Sequence, residues 1–400
     1  MMGDLPDGNA GSLNQWLESC AARRQARHLV RRRRVLDGNH PVDIRVDGKP
    51  LLNFSSNDYL GLASHPDLVA ALKNAAESQG VGSGASALVT GFREEHQLLE
   101  QELAVFLQRE KVLLCSSGYL ANLAVATSLA CRDDVIIQDK LCHASLIDAA
   151  RLSGARLSRY AHLDMAALKR RLAKANDGNT LVVSDGIFSM DGDTAPLQEM
   201  ASLCREHQAW LVVDDAHGIG VCGPGGRGSV AAAGLNGLDV PVLTGTLGKA
   251  FGCFGAFIAG SEKLIDHLVN EARSYIYTTA MPPALAASAR TALRRVIEDE
   301  WRREQLQGLI RHFRQGAASR GLVLMDSDSP IQPMIIGESQ AAMDLAAHLQ
   351  RVGFLVVAMR PPTVREGTSR LRITLTAAHQ ATQLDALLDA IANALATAHV

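Results

Sequence analysis

The chain has 400 residues, 47% hydrophobic, 20% charged and 4% aromatic, with a net charge of −2. That is long enough for a sizeable core, more than one core usually supports, and too nearly neutral for bulk attraction to nucleic acid or anionic membrane. Seven cysteines with no C-x-x-C pair argue against a disulfide framework or a zinc site, no apolar run reaches the ~20 residues of a membrane span, and residues 1–20 lack a signal-peptide pattern, so reduced thiols in the cytoplasm are expected.

In chain order, residues 1–50 read as an N-terminal helical arm. It is an Arg- and Ala-rich amphipathic helix with a basic run at Arg31–Arg34, followed by a polar stretch at Asp37–His40. From Ile44 the pattern turns β-like (Ile44-Arg-Val, Leu51-Leu-Asn-Phe), and Asn57-Asp58 with Gly61 marks a turn before a helix near Pro66. Residues 51–285 form the expected large domain. In it, apolar strands at Val112–Cys115, Val135–Ile137, Leu181–Ser184, Leu211–Asp214, Val242–Thr244 and Ala256–Ala259 alternate with helical periodicity. This alternation predicts an α/β fold with a mostly parallel central sheet covered by helices, and ligands at the carboxyl ends of its strands. Residues 286–400 read as a smaller α+β domain: a long helical stretch to about Arg320, Ile331–Ile336, a helix near 340–351, and β-like pieces at Phe354 and Leu371.

Each polar motif follows one of these strands. Cys115-Ser-Ser-Gly-Tyr119 opens a helix whose free N–H groups and dipole suit a phosphate, against the plainer reading of a capped helix. His143 follows the second strand, where a capping role and ring stacking are both open. In Asp214-Asp215-Ala-His217 adjacent carboxylates point to opposite faces, so one can meet a ligand while the other turns to the surface. Lys249, one of eight lysines, lies in the small-residue turn Thr246-Leu-Gly-Lys249-Ala. A lysine that forms a Schiff base and an upstream carboxylate that keeps a pyridine nitrogen protonated are what pyridoxal phosphate (PLP) chemistry needs. Rival readings are weaker. No Walker A glycine precedes Gly248-Lys249, Ala250 stands where Ser or Thr is required, and Gly218-Ile-Gly-Val-Cys-Gly223 is followed by Pro224-Gly-Gly, which breaks a dinucleotide-binding helix and reads as an extended loop. No metal-ligand set stands out.

With Ser117-Gly-Tyr119, His143, Asp214-Asp-Ala-His217 and Thr246-Leu-Gly-Lys249 in this order, the chain resembles the α-oxoamine synthases, PLP enzymes of the type I PLP-transferase fold. Asn53–Leu62, Asp191–Leu197 and Arg360–His379 are most similar to the branch that condenses L-alanine with a pimeloyl thioester, pimeloyl-CoA or pimeloyl acyl carrier protein, in biotin biosynthesis. Glycine C-acetyl transfer is the neighbouring alternative. A catalytically silent partner subunit is the other, which Lys249 argues against.

The resemblance implies that Lys249 holds PLP and takes the Cα proton, with His143 stacked on the ring, Asp214 at its nitrogen and His217 at its oxygen. Ser117, Gly118, Tyr119, Ser189 and Thr246 would place the cofactor or its phosphate. Arg360 and Asn57, with His143 beside them, would hold the substrate carboxylate, and Thr363 and an arginine of the basic run, taken as Arg31, would lie near the acyl substrate. Two departures are Asp185, where the family more often has Glu, and Arg365, where it usually has Pro. A homodimer with a shared site is also implied, Thr278 or Thr279 reaching the partner's phosphate.

Overall fold

The computed structural model describes residues 12–26, 29–31, 33–38, 41–175 and 178–398. Its centre is a seven-stranded sheet whose strands lie in the order Lys111–Cys115, Ala256–Gly260, Val242–Thr246, Trp210–Asp214, Thr180–Asp185, Val135–Asp139 and Arg156–Tyr160. The strands from Val242–Thr246 to Arg156–Tyr160 are parallel, and Ala256–Gly260 runs antiparallel to both of its neighbours.

The inner strands carry apolar runs because both faces are covered. Val182, Val213 and Leu243 pack into one buried cluster, while Val183, Val212 and Val242 pack into the other. Each such fully buried side chain contributes roughly 1.5–3 kcal/mol of transfer free energy. The strand Arg156–Tyr160 has no counterpart among the strands expected from sequence. It lies at the sheet edge and is only partly buried, so its sequence, Arg-Leu-Ser-Arg-Tyr, carries no apolar run.

The C-terminal part has a three-stranded antiparallel sheet, with Ser369–Thr374 between Ile331–Gly337 and Val357–Met359. Helices Glu300–Ser319, Ser339–Arg351 and Ala381–Ala398 accompany it, whereas Pro283–Glu298 packs against the helices Pro66–Gln79 and Glu94–Leu107. The N-terminal strands are not a separate arm. Asp43–Val46 pairs with Lys49–Asn53, which pairs in parallel with Phe354–Leu355, so the expected break at residue 50 falls inside a strand that the C-terminal part helps to hold. The helix Leu13–Ala26 exists, but Cys20 is its only buried residue, and Leu13 and Leu17 are exposed. It lacks the buried stripe of an amphipathic helix. Arg32, Asn39, His40 and residues 1–11 of the expected arm lie outside the described residues.

Beyond Asn53 the chain runs beside the strand Ser369–Thr374. Thr374 N–H donates to Phe54 O and Ala377 N–H to Tyr59 O, which brings Asn57 and Tyr59 against the C-terminal sheet.

Candidate active site

Parallel strands deliver their carboxyl ends to one edge, and a cavity of about 190 Å³ opens there. Gly118, Tyr119, His143, Asp214, His217, Thr246 and Lys249, all singled out from sequence, line it, together with Ser145, Asp185 and Ala216.

Asp214 ends its strand with Oδ2 accepting from Asn122 Nδ2 at 2.6 Å and Oδ1 from the Ala216 N–H at 3.1 Å. His143 caps the helix Ala144–Leu152, and its own N–H donates to Asp185 Oδ2 at 2.9 Å. Burial, with repulsion from Asp214, holds the Asp185 carboxyl well above its usual range. Ser117 caps the helix Gly118–Leu129 by accepting from Leu120 N–H, leaving the first N–H groups of that helix at the cavity. Tyr119 spends its hydroxyl on Asp148 Oδ2 at 2.8 Å, and Thr246 donates to Gly255 O at 3.0 Å.

Lys249 Nζ lies 2.9 Å from His217 Nε2, and His217 Nδ1 lies 2.6 Å from Tyr59 Oη, which in turn lies 3.3 Å from Asn57 Oδ1. Burial lowers the Lys249 amine to about 8 against the pull of Asp214 and Asp185, with Arg372 adding to the lowering. Burial also holds His217 well below its usual range, reinforced by the charges of Lys249 and Arg372. The lysine is therefore an amine that both takes and gives up a proton near neutral pH.

A family model for aminotransferases of class I and II matches residues 49–391. The chain is 54% identical over 369 residues to the 8-amino-7-oxononanoate synthase of Thioalkalivibrio sulfidiphilus, covering 92% of this chain and 94% of that protein. It is 52% identical to that of Methylococcus capsulatus over 94% and 97% of the two chains. The chain belongs to the 8-amino-7-oxononanoate synthase family.

Among solved structures, serine palmitoyltransferase of Sphingomonas wittichii superposes with a TM-score of 0.92 at 31% identity, over 98% of this chain and all of that one. The 8-amino-7-oxononanoate synthase of Francisella tularensis superposes with a TM-score of 0.78 at 30% identity, over 88% and 99%. As a member of the 8-amino-7-oxononanoate synthase family, the chain has the type I PLP-transferase fold and is a PLP-dependent acyltransferase.

The cavity suits that cofactor. A buried, lowered amine faces a neutral imidazole rather than a carboxylate, a carboxylate with two hydrogen bonds stands at a strand end, and a helix N-terminus supplies unpaired N–H groups for a phosphate. Lys249 would hold the aldehyde carbon, Asp214 the ring nitrogen and the first turn of Gly118–Leu129 the phosphate.

Other expected residues sit elsewhere in this synthase-family chain. Asn57 does not meet Arg360. Its Oδ1 accepts from both terminal nitrogens of Arg372 at 3.3 Å, whereas Arg360 lies beyond the strand Val357–Met359 and donates to Val30 O at 2.9 Å. Arg360 instead lines a larger cavity of about 770 Å³ with Arg31, Arg33, Arg34 and Thr363. Ser189 is absent from the residues lining the Lys249 cavity, and its carbonyl accepts from Arg372 Nε at 2.6 Å. Thr278 lines a third, small cavity with Ser116 and Glu100.

Asp215 does not turn to the surface. It is fully buried, accepting from Ser229 N–H and Oγ at 2.7 Å, and the glycine-rich loop closes over it: a Cβ on Gly228, whose φ is +93°, would stand 2.1 Å from Asp215 Oδ2.

Arg372, Tyr59 and Asn122 were not singled out from sequence. Arg372 had one legible signal, its place in Arg370-Leu-Arg-Ile-Thr374, where alternation sends Arg370 and Arg372 to the same face.

Proposed function

We propose that this chain condenses L-alanine with a pimeloyl thioester, releasing the carrier thiol and carbon dioxide, to give 8-amino-7-oxononanoate for biotin. The observation that carries the reading is Arg372. Arg372 is 5% exposed, and among the described residues its guanidinium bonds to uncharged groups, Ser189 O, Thr374 Oγ1, Asn57 Oδ1 and the Tyr59 hydroxyl, beside a lysine whose pKa it helps to lower. A buried cation without a carboxylate partner is costly unless a ligand brings one, and the α-carboxylate of an amino acid is that ligand.

When bound, PLP supplies the electron sink that stabilises the carbanion left when alanine loses its Cα proton. Arg372 and Asn57 hold the alanine carboxylate. Lys249 takes the Cα proton on Nζ, as an amine poised near 8 can do. His217, kept neutral by burial, holds its neighbours by hydrogen bonds without adding a second positive charge. The first turn of Gly118–Leu129 holds the phosphate end, while the Thr246 hydroxyl is spent on Gly255 O.

The larger cavity, with Arg31, Arg33, Arg34 and Arg360 around an apolar side of Met343, Val356 and Val357, supports an acyl chain that ends in a carboxylate, as a pimeloyl group does. The donor is pimeloyl-CoA or pimeloyl acyl carrier protein. A homodimer is supported by exposed Val81, Val89, Phe92 and Tyr277 on neighbouring segments joined by the Ser86–Thr279 bridge, and a cytoplasmic location by seven free cysteines.

Absorption spectra test this reading. A visible band that Lys249→Ala abolishes and that responds to L-alanine rather than glycine supports it, with product formation measured from each pimeloyl donor. A selective response to glycine moves the reading to the glycine branch.

A further inference from the structure

Asn122 takes no part in the steps above, yet the polar contacts behind the cavity meet at it. It lies in the helix Gly118–Leu129 and is 2% exposed. Its Nδ2 is 2.6 Å from Asp214 Oδ2 and 2.9 Å from Ser145 Oγ, and its Oδ1 is 3.0 Å from Thr244 Oγ1. Thr244 is the cross-strand partner of Asp214, so the amide is anchored to the same rung of the sheet that it serves.

Hydrogen counting then fixes the rest. A carboxylate only accepts, so the amide presents NH₂ to Asp214 and its oxygen to the Thr244 hydroxyl. The second amide hydrogen goes to Ser145 Oγ, which accepts it and keeps its own hydrogen for another partner. That partner is His143 Nδ1, 2.7 Å away, which also receives the Ser145 N–H at 3.3 Å. A backbone N–H can only donate, so the Ser145 N–H calls for a lone pair on Nδ1; the Ser145 hydroxyl then donates there too, and the hydrogen of the neutral imidazole sits on Nε2. Burial lowers the His143 pKa, outweighing the pull of Asp214, and the charge on Lys249 adds to it, which favours the neutral ring.

We propose that Asn122 is a positioning residue of this reaction, whose one amide both orients Asp214 and, through Ser145, holds His143 as the Nε2–H tautomer. The proposal rests on the reading of this cavity as the PLP site. It makes the two groups beside the cofactor ring depend on a single side chain that touches neither cofactor nor substrate.

The test is long-range ¹H–¹⁵N correlation on the full-length, PLP-loaded protein carrying ¹⁵N-labelled histidine, with the His143 signals assigned by their loss in His143→Gln. The wild type shows the Nε2–H pattern at His143. Ser145→Ala and Asn122→Ala each shift it toward a mixture of tautomers, and Ser145→Thr restores it. Asn122→Ala also weakens PLP binding about tenfold, the scale of one charge-assisted hydrogen bond.

An Nδ1–H pattern in the wild type, or an unchanged Nε2–H pattern in Ser145→Ala, overturns the proposal. Where Asn122→Ala fails to fold, Ser145→Ala decides by itself. A wild-type protein in which PLP binding leaves the His143 signals unmoved overturns the reading of the cavity instead.

Discussion

Replacing Arg372 by Met keeps an unbranched side chain of similar reach while removing the guanidinium that bonds Ser189 O, Thr374 Oγ1 and Asn57 Oδ1. No carboxylate among the described residues pairs with this buried cation, so its charge is available to the alanine carboxylate. Losing one partner of a buried, hydrogen-bonded charge pair costs about 2–5 kcal/mol. At about 1.4 kcal/mol per decade, KM for L-alanine should rise by roughly 30-fold to several thousandfold, and we expect about 100-fold because water reaches the cavity of the variant. The same change removes a charge that depresses Lys249, so the Lys249 amine should titrate above its wild-type value of about 8. Initial rates against L-alanine and against the acyl donor separate the effects, with Arg360→Met as the control that raises KM for the acyl donor alone. An Arg372→Met enzyme whose KM for alanine stays within about threefold of wild type would refute the assignment of Arg372 to the substrate carboxylate.

Burial raises Glu100 to about 7 while Leu114 N–H donates to its Oε1. A carboxyl whose folded pKa lies above the unfolded value destabilises the fold as pH rises from about 4.5 through 7. Glu100→Gln should therefore match wild type at pH 4.5 and exceed it by roughly 3 kcal/mol at pH 8, read by urea denaturation. His162 lies between Asp139 Oδ1 at 3.0 Å and Asp193 Oδ2 at 2.7 Å, and although burial opposes it, these bonds raise its pKa to about 10. The stability this adds is complete below the unfolded value near 6.5 and disappears as pH climbs toward 10, so the melting-temperature gap between wild type and His162→Asn should be wide at pH 6.5 and close by pH 10. Gly228→Ala combines a positive φ with a 2.1 Å approach to Asp215 Oδ2, and should lose about 2–5 kcal/mol in the same denaturation experiment.

Much of this site was legible in the chain itself, for a topological reason. Parallel strands buried on both faces must be apolar runs, and the loops after them must converge on one edge, so the polar residues that follow Cys115, Asp139, Asp214 and Thr246 were bound to meet. Lys249, Asp214, His217 and His143 needed only that rule. What the chain alone did not decide lies where pairing partners are far apart in sequence. The resemblance pointed to Arg360 as the carboxylate ligand and passed over Arg372, and only the packing of residues 54–59 along the strand Ser369–Thr374 puts Asn57 against Arg372 and leaves Arg360 to the larger cavity. The N-terminal strands looked like an arm because their partner, Phe354–Leu355, comes some three hundred residues later. Asp215 looked exposed because local alternation cannot anticipate a glycine loop folding back over a carboxylate. Periodicity is a local property and determined the elements and the site edge. Register, loop closure and long-range pairing are properties of the packed chain, and they determined which of several arginines lies against Asn57.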